Sequence, residues 1–371
     1  MLSLVAIAAC WRPTQAMPGF DLSPRPGIHT VATAPMTTSM IWRPPGVKEV
    51  HGSSLVALPH DELLTVFYGG TTESALDVRL YMARYTKGQW EPAKLFMTPT
   101  DVGTSTLRYT RRVGNSSLYR DNAGKLHLFF VTVGYFGWSC TSINHMVSLD
   151  EGHTWSLPQR VLTTPFFNVS ALVRGPAVPL QDGGFLLPIY FEVTNKFPEA
   201  LQYNAAGEFV RKIRMTSQHG SLQPCIVPNT TWTAHAFMRN RLEDYNKLNM
   251  QTTADGGATW TPTESVHEIP NYDACVAAVQ LEDGSMIMAF NTTGEREDLY
   301  LAIKREGKPW KTIYTLDKIS LQAETPTGIV EFSYPTMIRH GNVIDLTYSY
   351  HRVGLRHCRF TSDWVKEQAH D

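Results

Sequence analysis

Six polar residues recur at comparable places along the chain, each beside an apolar or small-residue segment. They are His51, Asn115, Arg174, Gln223, Asp273 and Tyr334, and they stand roughly 50 to 60 residues apart. A cluster that contains arginine, aspartate, histidine and tyrosine fits a polar binding pocket better than a packing device, because burying such groups without partners is costly. For any one of them alone, an ordinary solvated strand end explains the residue equally well.

The elements that must position these residues are short strands. Each polar residue is followed by a turn and a strand-like run, namely DELLTVFYGG at 61, GKLHLFFVTV at 124, GGFLLPIYFE at 183, TWTAHAFMRN at 231, GSMIMAFNTT at 284 and GNVIDLTYSY at 341. A further strand and a turn follow each run. Because a small sheet with two apolar faces must be covered by a neighbour, six such units predict an all-β fold, a six-bladed β-propeller. We expect a single propeller domain over residues 41–371, preceded by an N-terminal segment over residues 1–40.

Two hairpins support the repeat. Residues 148–155 read SLDEGHTW and residues 253–260 read TADGGATW, with Asp, Gly, Thr and Trp at the same offsets. In a hairpin between the two outer strands of a blade, the aspartate can accept backbone N–H groups, the glycine can take a positive φ, and the tryptophan can cover the edge. We therefore interpret this motif as structural and place it on the outer rim.

Composition excludes several functional classes. The net charge of −1 provides no basic surface for nucleic acid. The five cysteines show no metal-binding spacing, and no phosphate-binding or dinucleotide-binding motif is present, so no cofactor or metal is implied. No apolar run is long enough to span a membrane. The N-terminal stretch MLSLVAIAACWRPTQA could be a weak export signal, an extended arm or a poorly ordered start, and the oligomeric state is not readable from the sequence.

With its paired Asp-boxes and six units, the chain resembles the sialidase superfamily, also called BNR-repeat proteins. From about residue 45 onwards it is more similar still to a group of bacterial and plant proteins called predicted neuraminidases. The segments that carry this closer likeness are HGSSLVALPHDELLTVFYGGTTES, SINHMVSLDEGHTWS, FFNVSALVRGPAVPL, NKFPEAL, SLQPCIVP and FSYPTMI.

The resemblance implies roles for several residues. Sialidases hold the substrate carboxylate with three arginines, and Arg239 and Arg296 match the second and third of them. The nucleophilic tyrosine matches Tyr334. The acidic residue of the loop after the first strand pair matches Glu73 or Asp77, and Glu73 is our candidate for the general acid.

The sequence also departs from the sialidase pattern at two positions. His51-Gly52-Ser53 stands where an Arg-Ile-Pro segment is expected, and imidazole does not reproduce a bidentate guanidinium contact with a carboxylate. Gln223 stands where a glutamate should activate the tyrosine, and an amide cannot take up a proton. Arg174 could replace the missing arginine, while Asp273, His51 or Glu199 would have to act as the base.

Four further residues complete the candidate binding set. Asn115 and Gln223 belong to the repeated ring of polar positions. His145 in SINHMVS could project towards the pocket or be a structural histidine, and Lys196 in NKFPEAL could lie in a lid or in a solvated loop.

The sequence therefore predicts a sialidase-like glycoside hydrolase that acts on the terminal residue of an acidic or polar glycan. Two other classes stay open. One is a polysaccharide lyase that acts on a uronate-containing glycan, and the other is a propeller that binds a glycan without catalysis. A lyase would leave an unsaturated uronate that absorbs in the near ultraviolet, whereas a hydrolase would not.

Overall fold

The structure, a computed structural model, describes residues 16–24, 35–164, 168–242, 246–321 and 329–369. The N-terminal apolar stretch considered as an export signal lies outside the described residues. In the described ranges, strands numbered β1 to β26 in chain order form six antiparallel sheets. The predicted six-bladed propeller is confirmed.

Blades 1 to 3 follow the chain, with the innermost strand first. Blade 1 contains β2 (Glu49–Leu58), β3 (Glu62–Gly70), β4 (Arg79–Thr86), β5 (Gln89–Trp90) and β6 (Lys94–Met97). Blade 2 contains β7 (Arg112–Arg120), β8 (Leu126–Gly134), β9 (Gly137–Ser148) and β10 (Gln159–Arg160). Blade 3 contains β11 (Leu172–Val173), β12 (Val178–Pro179), β13 (Phe185–Phe191), β14 (Phe197–Tyr203) and β15 (Phe209–Arg214).

Blades 4 to 6 continue the ring. Blade 4 contains β16 (Ser221–Pro228), β17 (Ala234–Asn240), β18 (Lys247–Thr253) and β19 (Glu264–Pro270). Blade 5 contains β20 (Ala277–Gln280), β21 (Met286–Phe290), β22 (Asp298–Lys304) and β23 (Lys311–Lys318). Blade 6 contains β24 (Phe332–His340), β25 (Val343–Tyr350), β26 (Gly354–Thr361) and the N-terminal strand β1 (Thr37–Trp42).

The N-terminal strand closes the ring. β1 pairs antiparallel with β26 from Thr37↔Arg359 to Trp42↔Gly354, so the first and last strands of the propeller share one blade. The expected boundary between residues 40 and 41 falls inside this strand. Further upstream, Phe20 is fully buried and bridges Leu180 of blade 3, which ties residues 16–24 to the outside of the propeller.

The hydrophobic core is divided among the junctions between blades. Separate buried clusters lie between blades 1 and 2, 2 and 3, 3 and 4, 4 and 5, 5 and 6, and 6 and 1. Each sheet is therefore covered on both faces by its neighbours, as the repeat predicted. This arrangement leaves the polar ends of the inner strands to meet around the axis.

The two Asp-box hairpins have the same geometry. Asp150 lies between β9 and β10 and accepts from the backbone N–H of Thr154 at 2.8 Å and from its hydroxyl at 2.6 Å. Asp255 binds Thr259 in the same way at 2.9 and 2.6 Å. Gly152 has a φ of +89°, and an added Cβ there would approach the Leu64 side chain to 2.7 Å. Both hairpins join the third and fourth strands of a blade, so the motif is structural.

Two α-helices lie in the described ranges. α1 (Pro99–Thr106) connects blades 1 and 2 and begins with a capping box in which Thr98 and Asp101 satisfy each other's backbone N–H groups. α2 (Ser362–Gln368) follows β26, and its Trp364 and Val365 pack into the junction of blades 5 and 6. Short 3₁₀ turns occupy Pro59–Asp61 and Ile319–Leu321. None of the helices in the described ranges is long and apolar enough to cross a membrane.

Candidate active site

Backbone irregularities aim the inner-strand side chains at the axis. In blades 1, 2, 4 and 6 the pairing of the innermost strand is interrupted near its first residues. Gln223, Asp273 and Tyr334 adopt positive φ values of 53°, 57° and 54°. Such conformations cost about 1–3 kcal/mol for residues other than glycine and cluster at functional sites. In blades 4 and 6 the bulge encloses Gln223 and Tyr334, so it turns these two side chains out of the ladder.

The bulged ends surround a cavity of about 340 Å³ at one end of the axis, to which all six blades contribute. Its lining residues are Tyr68, Glu73, Ser74, Val78, Arg112, Val113, Gly114, Asn115, Val133, Leu172, Tyr190, Glu192, Gln223, Arg239, Arg296, Tyr334 and Arg352. The cavity thus brings together six of the sequence-predicted residues, namely Glu73, Asn115, Gln223, Arg239, Arg296 and Tyr334.

Tyr334 lies among cationic side chains. The Arg239 Nη1 atom donates to its hydroxyl at 3.3 Å, and the Arg296 guanidinium lies 5.6 Å from its ring centre. His51 meets the same ring edge-on with the ring centres 4.4 Å apart. The guanidinium of Arg239 places a positive charge where a phenolate oxygen would develop.

Asp273 lies outside the cavity lining and contacts three arginines. Its carboxylate accepts from Arg239 and from Arg241, and its backbone carbonyl accepts from Arg296 at 3.0 Å. Because both carboxylate oxygens are engaged by guanidinium groups, Asp273 holds these arginine side chains in place. The structure does not bring it to the phenol of Tyr334 as a base.

Arg352 is a cavity residue that the sequence reasoning missed. Its side chain lies 2.7 Å from Glu331 and 3.2 Å from Glu73, and its backbone carbonyl accepts from Val50, the neighbour of His51. A guanidinium from the β25–β26 hairpin therefore stands next to the position where the sialidase pattern expects an arginine. No motif marked it, because its relation to blade 1 exists only once the ring has closed.

His51 is buried beside this group and does not line the cavity. Burial lowers the pKa of His51 to about 4, so its ring is neutral near pH 7. Its Nε2 atom lies 3.8 Å from Glu331, and neither ring nitrogen has a hydrogen-bond partner among the described residues. At neutral pH the charges that hold Glu331 ionised are therefore those of Arg296, at 3.1 Å, and Arg352.

Glu331 is a second acidic residue that the sequence reasoning missed. Burial alone would raise the pKa of this carboxyl, but His51 and Arg352 together with a hydrogen bond from Ser333 lower it to about 2. Glu331 is therefore a fixed anion that holds Arg296 and Arg352 in place. Glu331 lies outside the cavity lining and positions two of the arginines that line it.

The structure distinguishes the two acidic candidates of the first loop. Glu73 lines the cavity, with its side chain 34% exposed, and accepts a hydrogen bond from the Tyr68 hydroxyl at 3.2 Å. Asp77 instead accepts from the backbone N–H and the hydroxyl of Thr71, which lower the pKa of its carboxyl. Glu73 is therefore available to a ligand, whereas Asp77 fixes the loop.

Glu192 is a cavity carboxyl outside the candidate set. It follows β13, just as Glu73 follows β3, so the blade repeat alone could have indicated it. Burial raises its pKa, although Arg239, Arg241 and Lys196 act in the opposite direction. A carboxyl whose pKa is shifted towards neutrality can exchange a proton during a reaction.

Three sequence candidates lie elsewhere. Arg174 is buried outside the cavity and donates to the backbone carbonyls of Ser53, at 2.7 Å, and Tyr334, at 2.6 Å, so it fixes the backbone at Tyr334. His145 contacts His127 at 2.9 Å and stacks on a phenylalanine within the core of blade 2, so it does not project into the cavity. Lys196 lies in the β13–β14 loop outside the lining, close enough to affect Glu192.

Four guanidinium groups, those of Arg112, Arg239, Arg296 and Arg352, face two carboxyl groups across the lining. Guanidinium groups bind carboxylates by paired hydrogen bonds, so this excess favours an anionic ligand. No group of three His, Cys, Asp or Glu side chains within the described ranges could hold a metal ion.

Comparison with known proteins agrees with this architecture. The model of the BNR repeat-like domain family matches residues 61–346, which is more than half of the chain. The chain belongs to this family. Among curated proteins, none matches the sequence.

Several solved structures share the fold at low sequence identity. A Hadza microbial sialidase has a TM-score of 0.69 at 15% identity, with 85% of this chain and 66% of that chain covered. The corresponding values are 0.67, 12%, 91% and 61% for the Trypanosoma rangeli sialidase. For a protein of unknown function from Dyadobacter fermentans they are 0.66, 14%, 90% and 99%. This BNR-repeat chain thus spans about two thirds of the length of the two sialidases, and at these identities the likeness concerns the fold.

Proposed function

We propose that this protein is a sialidase-like glycoside hydrolase that removes a terminal sugar bearing a carboxylate. The observation that carries the proposal is the convergence of Arg239, Arg296 and Arg352 around Tyr334 in one axial cavity. Three guanidinium groups would bind the sugar carboxylate, which fixes the anomeric carbon near the phenol.

The reaction would use the cavity carboxyl groups in two roles. Glu73 would protonate the leaving glycosidic oxygen, while Tyr334 attacks the anomeric carbon and forms a glycosyl-enzyme. The phenolic proton would pass to Glu192, directly or through one water, because Gln223 cannot accept it. Water would then attack the anomeric carbon while Glu73, now the base, takes up its proton and the bond to Tyr334 breaks. Glu192 would return its proton to the phenolate, and the sugar would leave with retained configuration.

An assay with a panel of aryl glycosides tests this function. The panel contains N-acetylneuraminate and glucuronate glycosides, with neutral galactosides and glucosides as controls. We expect release of the aryl group only from acidic glycosides, and a decrease in kcat of about a thousandfold or more in Tyr334→Phe. Tyr300→Phe, on β22 of blade 5, is the matched control and should keep full activity.

Three results would contradict the proposal. If only the neutral glycosides were hydrolysed, the arginines would not bind a substrate carboxylate. An unsaturated product that absorbs in the near ultraviolet would indicate a lyase. Binding of an acidic sugar without turnover, unchanged in Glu73→Gln and Tyr334→Phe, would indicate a glycan-binding propeller.

A further inference from the structure

A second pocket, of about 190 Å³, opens beside the axial cavity on blade 2. Thr132 and Gly134 of β8 line it, whereas the intervening Val133 lines the axial cavity. Because alternate residues of a strand point to opposite faces, the two sites lie back to back across the same strand end. They therefore open at the same end of the propeller.

Exposed aromatic rings form one side of this pocket. Tyr109 and Tyr135 stack with their ring centres 3.9 Å apart and their planes 15° from parallel, yet they are 55% and 67% exposed. The neighbouring Phe136 is 80% exposed. Ordered aromatic faces left open to solvent offer a flat apolar platform, which suits the C–H face of a sugar ring.

Two arginines form the other side. Arg108 and Arg160 both line the pocket, and in the described part of the chain neither forms an ion pair with a carboxylate. The Nε atom of Arg160 is buried and has no hydrogen-bond partner among the residues that the structure describes. Burial, together with the charge of Arg108, lowers the pKa of Arg160. Two unneutralised guanidinium groups at one partly enclosed site favour an anion, which would supply the missing partner.

We propose that this aromatic–arginine pocket (Arg108, Tyr109, Tyr135, Phe136 and Arg160) is a binding site for a sugar residue that carries a carboxylate or a sulfate. The aromatic platform contacts the ring, and the arginines bind the anionic substituent. The site is separate from the axial cavity and does not require that cavity to be catalytic.

Calorimetric titration of the full-length protein tests the proposal. The background is Arg239→Gln, which removes one of the axial guanidinium groups and so weakens anion binding in the axial cavity. The probes are a galacturonate tetrasaccharide, a sulfated carrageenan tetrasaccharide and neutral cellotetraose. We expect binding of at least one anionic probe in preference to cellotetraose, and the two anionic arms distinguish carboxylate from sulfate.

Variants of the pocket make the test specific. Arg160→Gln and Tyr135→Ala should each raise the Kd of the preferred anionic probe by about fivefold or more. Arg305→Gln removes the same charge from an exposed turn of blade 5 and should leave the Kd unchanged. Arg108→Gln, at an exposed position, gives a second charge variant that leaves the core intact.

Equal Kd values for the three probes, or equal losses in Arg160→Gln and Arg305→Gln, would overturn the proposal. A lack of glycosidase activity would not overturn it, because the measured quantity is binding at the aromatic–arginine pocket and not turnover in the axial cavity.

Discussion

Two charged clusters at opposite ends of blade 6 contain similar residues but differ in what they leave free. The open cluster consists of Glu49, Glu73, Arg296, Glu331 and Arg352, beside the start of β24. The closed cluster consists of Asp61, His340, Asp345, His357 and Arg359, at the other end of the same strand. Each joins blade 6 to blade 1.

In the closed cluster, the charged side chains bind one another around a buried carboxylate. Asp345 is fully buried and lies 2.6 Å from the Nε2 atoms of both His340 and His357 and 3.0 Å from the Nε atom of Arg359. These contacts outweigh the effect of burial and lower the pKa of the Asp345 carboxyl. The cluster links β24, β25 and β26, and both carboxylate oxygens of Asp345 are engaged by neighbouring side chains, so we interpret its function as structural.

The open cluster surrounds a space. Arg296 and Arg352 are held from behind by Glu331, yet both side chains line the axial cavity and keep 17% of their surface exposed. Glu73 likewise reaches the cavity. The difference shows that charged residues form a structural link where they pair with one another in the interior, whereas those that border a cavity stay accessible to a ligand.

The largest expected effect is in the closed cluster. Asp345→Asn removes the fully buried carboxylate that pairs with His340, His357 and Arg359, and removing one partner of a buried ion pair typically costs about 3–5 kcal/mol. We therefore expect the free energy of unfolding to fall by about 3 kcal/mol, measured by chemical denaturation. A loss below about 1 kcal/mol would contradict the structural role.

The second effect concerns pH and the buried His51. The pKa of His51 in the folded protein, about 4, lies below the ordinary histidine value of 6.5, so the unfolded chain binds the extra proton first as the pH falls. The contribution of His51 to the free energy of unfolding is therefore fully present above its pKa in the unfolded chain. This contribution is lost as the pH falls from about 6.5 towards 4. Between about pH 7 and about pH 5 this group should account for a decrease of about 2 kcal/mol in the free energy of unfolding.

His51→Gln isolates this contribution, because the other histidines titrate equally in both proteins. Denaturation curves at the two pH values should show the smaller decrease in the variant. Identical decreases would show that His51 takes up its proton without a cost in the folded protein.

A smaller effect is expected when the geometry of the open cluster is changed but its charge is kept. Arg352→Lys removes the planar pair of N–H donors, so the Kd for N-acetylneuraminate should rise about tenfold in calorimetric titration. Arg356→Lys, which affects an arginine paired with Asp317 away from the cavity, is the matched control. If both variants bind equally well, Arg352 does not contact the carboxylate.

The smallest effect is expected at the surface of the closed cluster. Asp61 pairs with Arg359 at 2.7 Å, but its side chain is 50% exposed. Because exposed ion pairs contribute little, Asp61→Asn should change the free energy of unfolding by at most about 0.5 kcal/mol. A loss as large as that of Asp345→Asn would mean that the cluster acts as one unit and is not divided into a buried and an exposed part.

Much of the architecture was predictable because it repeats. The turn-and-strand runs located the second strand of every blade, and the residues before them located the inner strands that carry Gln223 and Tyr334. His145 and Arg174 show the limit of this reasoning. Each stands near the expected position, but which way a side chain points depends on strand register and on its neighbours in the adjacent blade.

The sequence by itself determined the number of blades, the Asp-box hairpins and the phenol at the centre, because these depend on local turn chemistry and on the alternation of apolar residues. Only the tertiary structure decided which charges face the cavity. Arg352 reaches blade 1 because β1 closes the ring through β26, whereas the blade repeat already implied the position of Glu192 after β13. Contacts such as that of Arg352 join residues that lie far apart in the sequence, and no local pattern encodes them.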